Sequence, residues 1–430
     1  MTLRILAQVI PVLILVSRAA ANDIDAPPIR YSDSPPDNAV SRLQARLEAG
    51  RASLTHEKTL GYARSLLKEL NIPESSQVLV FTKTSLQRHR ISPRTPRAIY
   101  FNDEMYVGFC QNGDVMELSA VDPNLGTVYY TLDQKNADRP RFTRQGDTCL
   151  ICHGSSQNQG LPGHMVRSVF SDPSGYPILA SGTYRIDQTS PLKHRWGGWY
   201  VTGTSGKQSH LGNLTVEERV TPEEVDNKAG LNVTDLSPFF KMSAYLTPHS
   251  DIVALMVLEH QTQMHNLITR AGFLTRMAVY EQAELDKALG RDAKGLTDST
   301  VSRIKNAGEP LVKYMLFSEE SALTDRLQGD TTFAADFAKR GPFDKKGRSL
   351  RDFDMRTRMF KYPCSYLIYS AAFDALPAEV KDYVYPRLWD VLSGNETGKE
   401  FAHLSATDRI AIREILVETK PNLPQHWRAK

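Results

Sequence analysis

The sequence is poor in cysteine and nearly without net charge: 430 residues hold 4 Cys, and 52 Lys and Arg balance 49 Asp and Glu. Near-neutrality excludes partners chosen by bulk charge, so neither nucleic acid nor an anionic membrane surface is expected. So few cysteines exclude a disulfide scaffold; Cys110 and Cys364 form either one bridge or two separate buried thiols. Long apolar runs are missing too. The longest opens the chain, where Arg4 precedes Ile5 to Val16 and Ala19-Ala20-Ala21 offers a cleavage point. It is short for a bilayer span and holds Pro11, so residues 1–21 read as an export signal and the protein as periplasmic or otherwise exported. Losing Arg4 and Arg18 takes the formal charge from +3 to +1 and leaves no integral membrane segment.

The remainder reads as α+β. Leu43, Leu47 and Leu54, then Leu60, Leu66, Leu67 and Leu70, recur at helical spacing and stop before Pro73, which predicts a helical leader. Between Val78 and Leu132, short β-branched and aromatic runs alternate with the turn signals Asn102-Asp103, Asn112-Gly113 and Asp122-Pro123, the pattern of an antiparallel meander. This β-rich part is expected to stop near Asp133, and Arg141 to Gly146 does not read as a strand. A loop-rich segment follows, then a mainly α-helical C-terminal half with helices at 250–269, 273–289, 299–317, 365–376, 377–392 and 405–419. The expected regions are 22–135 (leader and β-rich part), 136–275 (loop-rich part) and 276–430 (helices).

Chemistry concentrates in Cys149-Leu-Ile-Cys152-His153. A helical turn puts Cys149 and Cys152 on one face, each able to bond one vinyl side of a porphyrin, and His153 then meets the iron from the same side. This spacing arises by chance in about one sequence in a thousand of this composition. A zinc site would need further ligands at short spacing, and a dithiol redox site would want the motif between a strand and a helix. One covalent haem c is therefore the expected cofactor. Asp147 or Thr148 suits the helix start and Gly154 its exit.

A second axial ligand is sought among His164, Met165, His194, His210, Met242, His249, His260, Met264 and His265. His260 leads, because Met256, His260, Met264 and Leu267 share one helix face, which otherwise makes His260 a hydrogen-bonded core residue. His210 and Met264 follow. The aromatic run Arg195-Trp196-Gly-Gly-Trp199-Tyr200 either packs on the porphyrin, with Arg167, Arg185 or Arg195 at its propionates, or builds a Trp-rich core. Glu259 either moves protons or is a solvated helix residue.

These residues, with Arg90-Ile-Ser-Pro-Arg-Thr-Pro-Arg-Ala-Ile-Tyr-Phe-Asn102, Asp122-Pro-Asn-Leu-Gly126, His164-Met-Val-Arg-Ser168 and Leu258-Glu-His-Gln261, resemble a family of uncharacterised, exported bacterial cytochrome c domain proteins. The resemblance spans most of the chain beyond residue 21 and implies haem c at Cys149, Cys152 and His153. It brings no substrate. Where such proteins often read His-Met-Gly-Asn this chain has His210-Leu-Gly-Asn213, which argues against a methionine ligand there and leaves His210 open. A single attachment motif also departs from the two-haem pattern of bacterial cytochrome c peroxidases. The expected function is a periplasmic mono-haem cytochrome exchanging electrons with a redox partner protein or a small-molecule donor or acceptor. The alternatives are a mono-haem enzyme, peroxidase-like or acting on another small redox molecule, and a haem-based ligand sensor.

Overall fold

A computed structural model describes residues 24–428 apart from Ala293, so the expected export signal lies outside the described residues. Two leader helices, α1 (Ala39–Glu48) and α2 (Ala63–Glu69), precede strands β1 (Val78–Val80), β2 (Arg97–Phe101), β3 (Met105–Phe109), β4 (Val115–Asp122), β5 (Gly126–Asp133) and β6 (Phe142–Gln145). Helix α3 (Asp147–His153) follows β6 directly. Short strands β7 (Arg167–Ser168) and β8 (Tyr184–Arg185) pair with each other, and β9 (Trp199–Tyr200) returns to the main sheet. The C-terminal half is helical: α4 (Ile252–Ala288), α5 (Asp298–Met315), α6 (Phe333–Ala338), α7 (Ala371–Asp374), α8 (Ala378–Ser393) and α9 (Ala406–Thr419). The fold is thus α+β. Among the described residues no helix is long and apolar enough to cross a membrane.

The main sheet has seven antiparallel strands in the order β6-β5-β4-β3-β2-β1-β9. Period-two alternation gives it two apolar faces. Leu79, Tyr100, Val107, Leu118 and Leu132 pack on Leu43, Leu66 and Leu67 of the leader helices. Val78, Val80, Phe101, Tyr106 and Val121 face α4 and the C-terminal helices. Toward β4, β5 and β6 this second face turns polar, with Glu117, Ser119, Thr131 and Gln145 half-buried.

Several expectations are corrected here. Phe142–Gln145 is a strand, pairing with Tyr129 to Leu132; its polar, half-buried residues suit a sheet edge and hide the pattern of a core strand. Residues 250–269 and 273–289 form one helix, not two. Gly272, a helix-weakening residue by propensity, sits inside α4, where a Cβ would lie 3.5 Å from Leu376 in ordinary contact. Residue 275, the expected end of the loop-rich region, therefore falls within a continuous helix. The stretch 365–376, expected as one helix, is a 3₁₀ turn at Tyr366–Tyr369 and the short α7, whereas α9 lies as expected and begins with a capping box of Ser405 and Asp408. Cys110 and Cys364 are separate buried thiols.

The first half of α4 is buried all round, so tertiary packing and its cap hold it. Asp251 accepts the Val253 and Ala254 N–H groups with one carboxylate oxygen and the Thr331 N–H and hydroxyl with the other. Asp251→Ala should cost about 3 kcal/mol, through a lost cap and a stranded Thr331 N–H. Urea midpoints of the two proteins check this; a difference below about 1 kcal/mol would show the cap to be dispensable.

Candidate haem attachment site

Residues paired across antiparallel strands point to one side, which puts Tyr106, Ser119, Tyr129 and Gln145 in a row across β3 to β6. Gln145 ends β6, and α3 folds back over that row. The His153 ring lies 5.0 Å from the Tyr129 ring, and Leu150 packs toward the core. Cys149 is half-buried, Cys152 is exposed, and both are free thiols on one helix. Gly146 occupies the cap position without a side-chain bond; Asp147 is the first helical residue and caps nothing, and Gly154 leaves at φ −103 without using the left-handed region.

The loop after α3 returns to grip His153. Its Nδ1 lies 3.0 Å from the Gly163 carbonyl oxygen. A carbonyl only accepts, so in the neutral ring the proton sits on Nδ1 and the Nε2 lone pair is free for a metal. Tyr129 donates its hydroxyl to the same carbonyl at 2.6 Å, and Asn158 donates to the His153 carbonyl at 2.8 Å. Asn266 of α4 closes the loop by accepting the His164 N–H and donating to the His164 carbonyl, each at 2.8 Å. Gly163 is needed at this crossing, because a Cβ would stand 2.3 Å from Asn266 Oδ1.

Burial holds the His153 imidazole below its ordinary value, so it stays neutral and ligand-ready near pH 7. Burial, with Glu117 and Cys152 adding and Arg97 opposing, pushes the Cys149 thiol up to about 11. An attacking cysteine of a dithiol oxidoreductase needs the reverse, a thiol pushed toward thiolate. This matters because β6 does run into α3, so the absence of a preceding strand no longer argues against such an enzyme. The antiparallel setting and the raised thiol do. Among the described residues no group of three or more His, Cys, Asp and Glu side chains is arranged to hold a metal ion alone, as a closed zinc site requires. Two free thiols one turn apart and an imidazole with its Nδ1 anchored do fit haem c.

The other named residues lie elsewhere. His260 is wholly buried between Phe317 and Tyr314. Its Nδ1 donates to Gln188 Oε1 at 2.6 Å, and its Nε2 accepts the Ser365 hydroxyl at 2.8 Å, so the lone pair that iron would take is already used. Met264 is buried in the apolar core. His210 is buried, and its Nδ1 accepts the Gly212 N–H at 3.1 Å. His164 meets Ser119 and Thr127 hydroxyls with its two nitrogens; His194 and His249 pair with Glu223 and Asp330. Met165 and Met242 are half-buried. Trp196 and Arg195 take the core alternative: both bond the buried Glu259 carboxylate, Arg195 at 2.9 Å, and Arg195 also donates to the Ser190 and Gln188 carbonyls. Glu259 is therefore neither solvated nor free. Arg185 is tied to Gln157 and Gln263.

Comparison with family models, curated proteins and solved structures finds no match to this chain. The site rests on its own geometry. Several contributors were not singled out from sequence: Tyr129, Asn158, Gly163, Asn266, and the Arg97–Glu117 ion pair at 2.7 Å on the sheet beside Cys149. Glu117 and Ser119 were findable, because they alternate with Met116, Leu118 and Ala120 and so mark the polar half of the face. Asn266 was not, since it meets the loop across 102 residues.

Burial depresses His260 to about 3 and His210 and His265 to about 4. The unfolded chain therefore binds protons that the folded one refuses below about pH 6.5. Stability should be complete above that pH and fall toward pH 4, by up to about 1.4 kcal/mol per pH unit for each histidine. Denaturant titrations at pH 7, 6, 5 and 4 measure it. A flat profile over that range would show these rings to be solvated.

Proposed function

We propose that the protein is an exported c-type cytochrome carrying one covalent haem on Cys149, Cys152 and His153, which passes single electrons to and from a partner. The supporting observation is the His153 ring, whose Nδ1–H is spent on the Gly163 carbonyl while two free thiols stand on the same helix. When bound, the haem supplies one-electron redox chemistry. The chain's residues hold it: the thiols anchor its edge, the Gly163 and Tyr129 contacts fix the imidazole plane, and the Nδ1 bond raises the basicity of Nε2. Arg97 and Arg167 are the cations that act on His153; Arg97 is spent on Glu117 at 2.7 Å, which leaves Arg167 as the candidate partner of a propionate.

A second reading is favoured by the engaged state of the candidate sixth ligands. His260 and His164 have both nitrogens bonded and Met264 is in the core. A sixth position without a protein ligand takes a small molecule, as in an enzyme or a ligand sensor. Cyanide or carbon monoxide shifting the Soret band selects this reading; an unresponsive six-coordinate spectrum selects the shuttle.

Expressed with a haem-ligation system, the protein should keep its colour through acid-acetone extraction. Cys149→Ala with Cys152→Ala should abolish that retention, and colour extracted from the wild type would sink covalent attachment. His260→Gln should leave the haem spectrum unchanged while costing about 2 kcal/mol of stability, the penalty of disturbing Gln188 and Ser365. A changed spin state would instead put His260 on the iron.

A further inference from the structure

Ser119 is the small residue in the row Tyr106–Ser119–Tyr129, and the space above it holds the His164 ring. The His164 ring lies 4.3 Å from that of Tyr106, with Nε2 2.9 Å from the Ser119 hydroxyl. Tyr129 touches His153 at 5.0 Å, and Ser119, its partner across β4 and β5, holds His164, so the two ring pairs His153–Tyr129 and His164–Tyr106 meet at Ser119. Beyond them stands His265, its Nδ1 3.0 Å from the Tyr106 hydroxyl. Gln261 donates to that hydroxyl at 2.8 Å, so the phenolic proton points at His265 Nδ1, which accepts it. In the neutral ring Nε2 then carries the other proton and is turned toward the Asp103 backbone, outside good hydrogen-bond geometry.

Among the described residues, Tyr106 is the one tyrosine whose hydroxyl bonds an imidazole. Its neighbours Tyr129, Tyr314 and Tyr366 donate to amide oxygens, which take no proton. A buried phenol cannot lose an electron and keep its proton, because an unpaired cation in the interior is costly. Tyr106 alone in this group has a base positioned to receive the proton, and the charge that would form on His265 faces the Asp103 carboxylate, which Arg340 and Arg351 share.

We propose that Tyr106 and His265 are a proton-coupled redox pair serving the haem, so that a peroxide acting at the haem draws one electron from Tyr106 as its proton moves to His265. This rests on the haem reading above and on its open-position form. The phenolic O–H bond breaks and an N–H bond forms at His265 Nδ1, leaving a neutral tyrosyl radical. The peroxide is the two-electron oxidant and ends as water with solvent protons; Tyr106 supplies one electron and the iron the other. An outside one-electron donor gives two electrons per peroxide: one refills Tyr106 as the proton returns from His265, and the other would restore the iron.

Holoprotein mixed with hydrogen peroxide and freeze-quenched should show a tyrosyl EPR signal. Tyr106→Phe, which keeps the ring and its contact with His164, should remove the signal, and Tyr129→Phe should keep it. His265→Gln, which accepts a hydrogen bond but no proton, should lower its yield while the haem content and Soret band stay as in the wild type. A signal that survives Tyr106→Phe overturns the pair, as does a haem that peroxide oxidises without any tyrosyl signal or leaves unchanged. Failure of the haem reading is visible separately, as chain without covalent haem. The pair is then tested in that chain by flash-generated tris(bipyridine)ruthenium(III): a signal lost in Tyr106→Phe supports it, and no such loss overturns it.

Discussion

The Gly163 carbonyl oxygen organises the candidate site, because it accepts from His153 Nδ1 at 3.0 Å and from the Tyr129 hydroxyl at 2.6 Å. One acceptor thereby ties the seven-residue α3, which buries none of its residues fully, to strand β5, one in from the sheet edge. A helix this short does not hold itself in water. Its placement comes from outside: from β6, which delivers it, from the loop that crosses back beneath His153, and from Asn266, which fastens that loop to α4. The long central helix thus determines where a short surface one sits.

The size of the chain follows from this arrangement. Covering both faces of the sheet takes the leader helices on one side and α4 with the C-terminal helices on the other. Because α4 is enclosed by protein along its first half, its polar residues must be answered inside. Glu259 is met by Arg195 and Trp196, His260 by Gln188 and Ser365, and Gln261 by Tyr106, Tyr366 and the Asn102 carbonyl. Those partners come from every region of the chain. A buried polar network of this kind fixes one arrangement of helix against sheet, since a one-residue slip would leave several groups unpaired at once.

What was legible in the sequence was local. Helix α3, the strands β2 to β5 and the last helix α9 are each specified by residues within a few positions of one another, and each lies where the spacing put it. The register of β4 and β5 also places polar Glu117 and Ser119 together, as alternation requires. Less legible were features decided by distant partners. His260 has the helix-face position of a ligand, and only Gln188 and Ser365, 72 and 105 residues away, show its nitrogens to be occupied. Arg195 reads as a propionate partner until Glu259 is found beside it. Edge strand β6 lacks the apolar alternation that marks interior strands, and Gly272 looks like a helix end because propensity ignores what packs against it.

The two faces of α3 separate two requirements that a haem held there would impose. Cys152 and Ile151, the latter 77% exposed, stand at the surface, so the thioether edge is where an electron would meet a partner at short range. The imidazole side is turned inward, onto Tyr129 and the polar half of the sheet, where water is scarce and hydrogen bonds keep their strength. Burial on that side resists the gain of charge at the iron, while the Arg97–Glu117 pair adds almost no net charge of its own. The potential would then be governed less by nearby ionised groups than by the strength of the His153 to Gly163 bond, which sets how much electron density Nε2 can give.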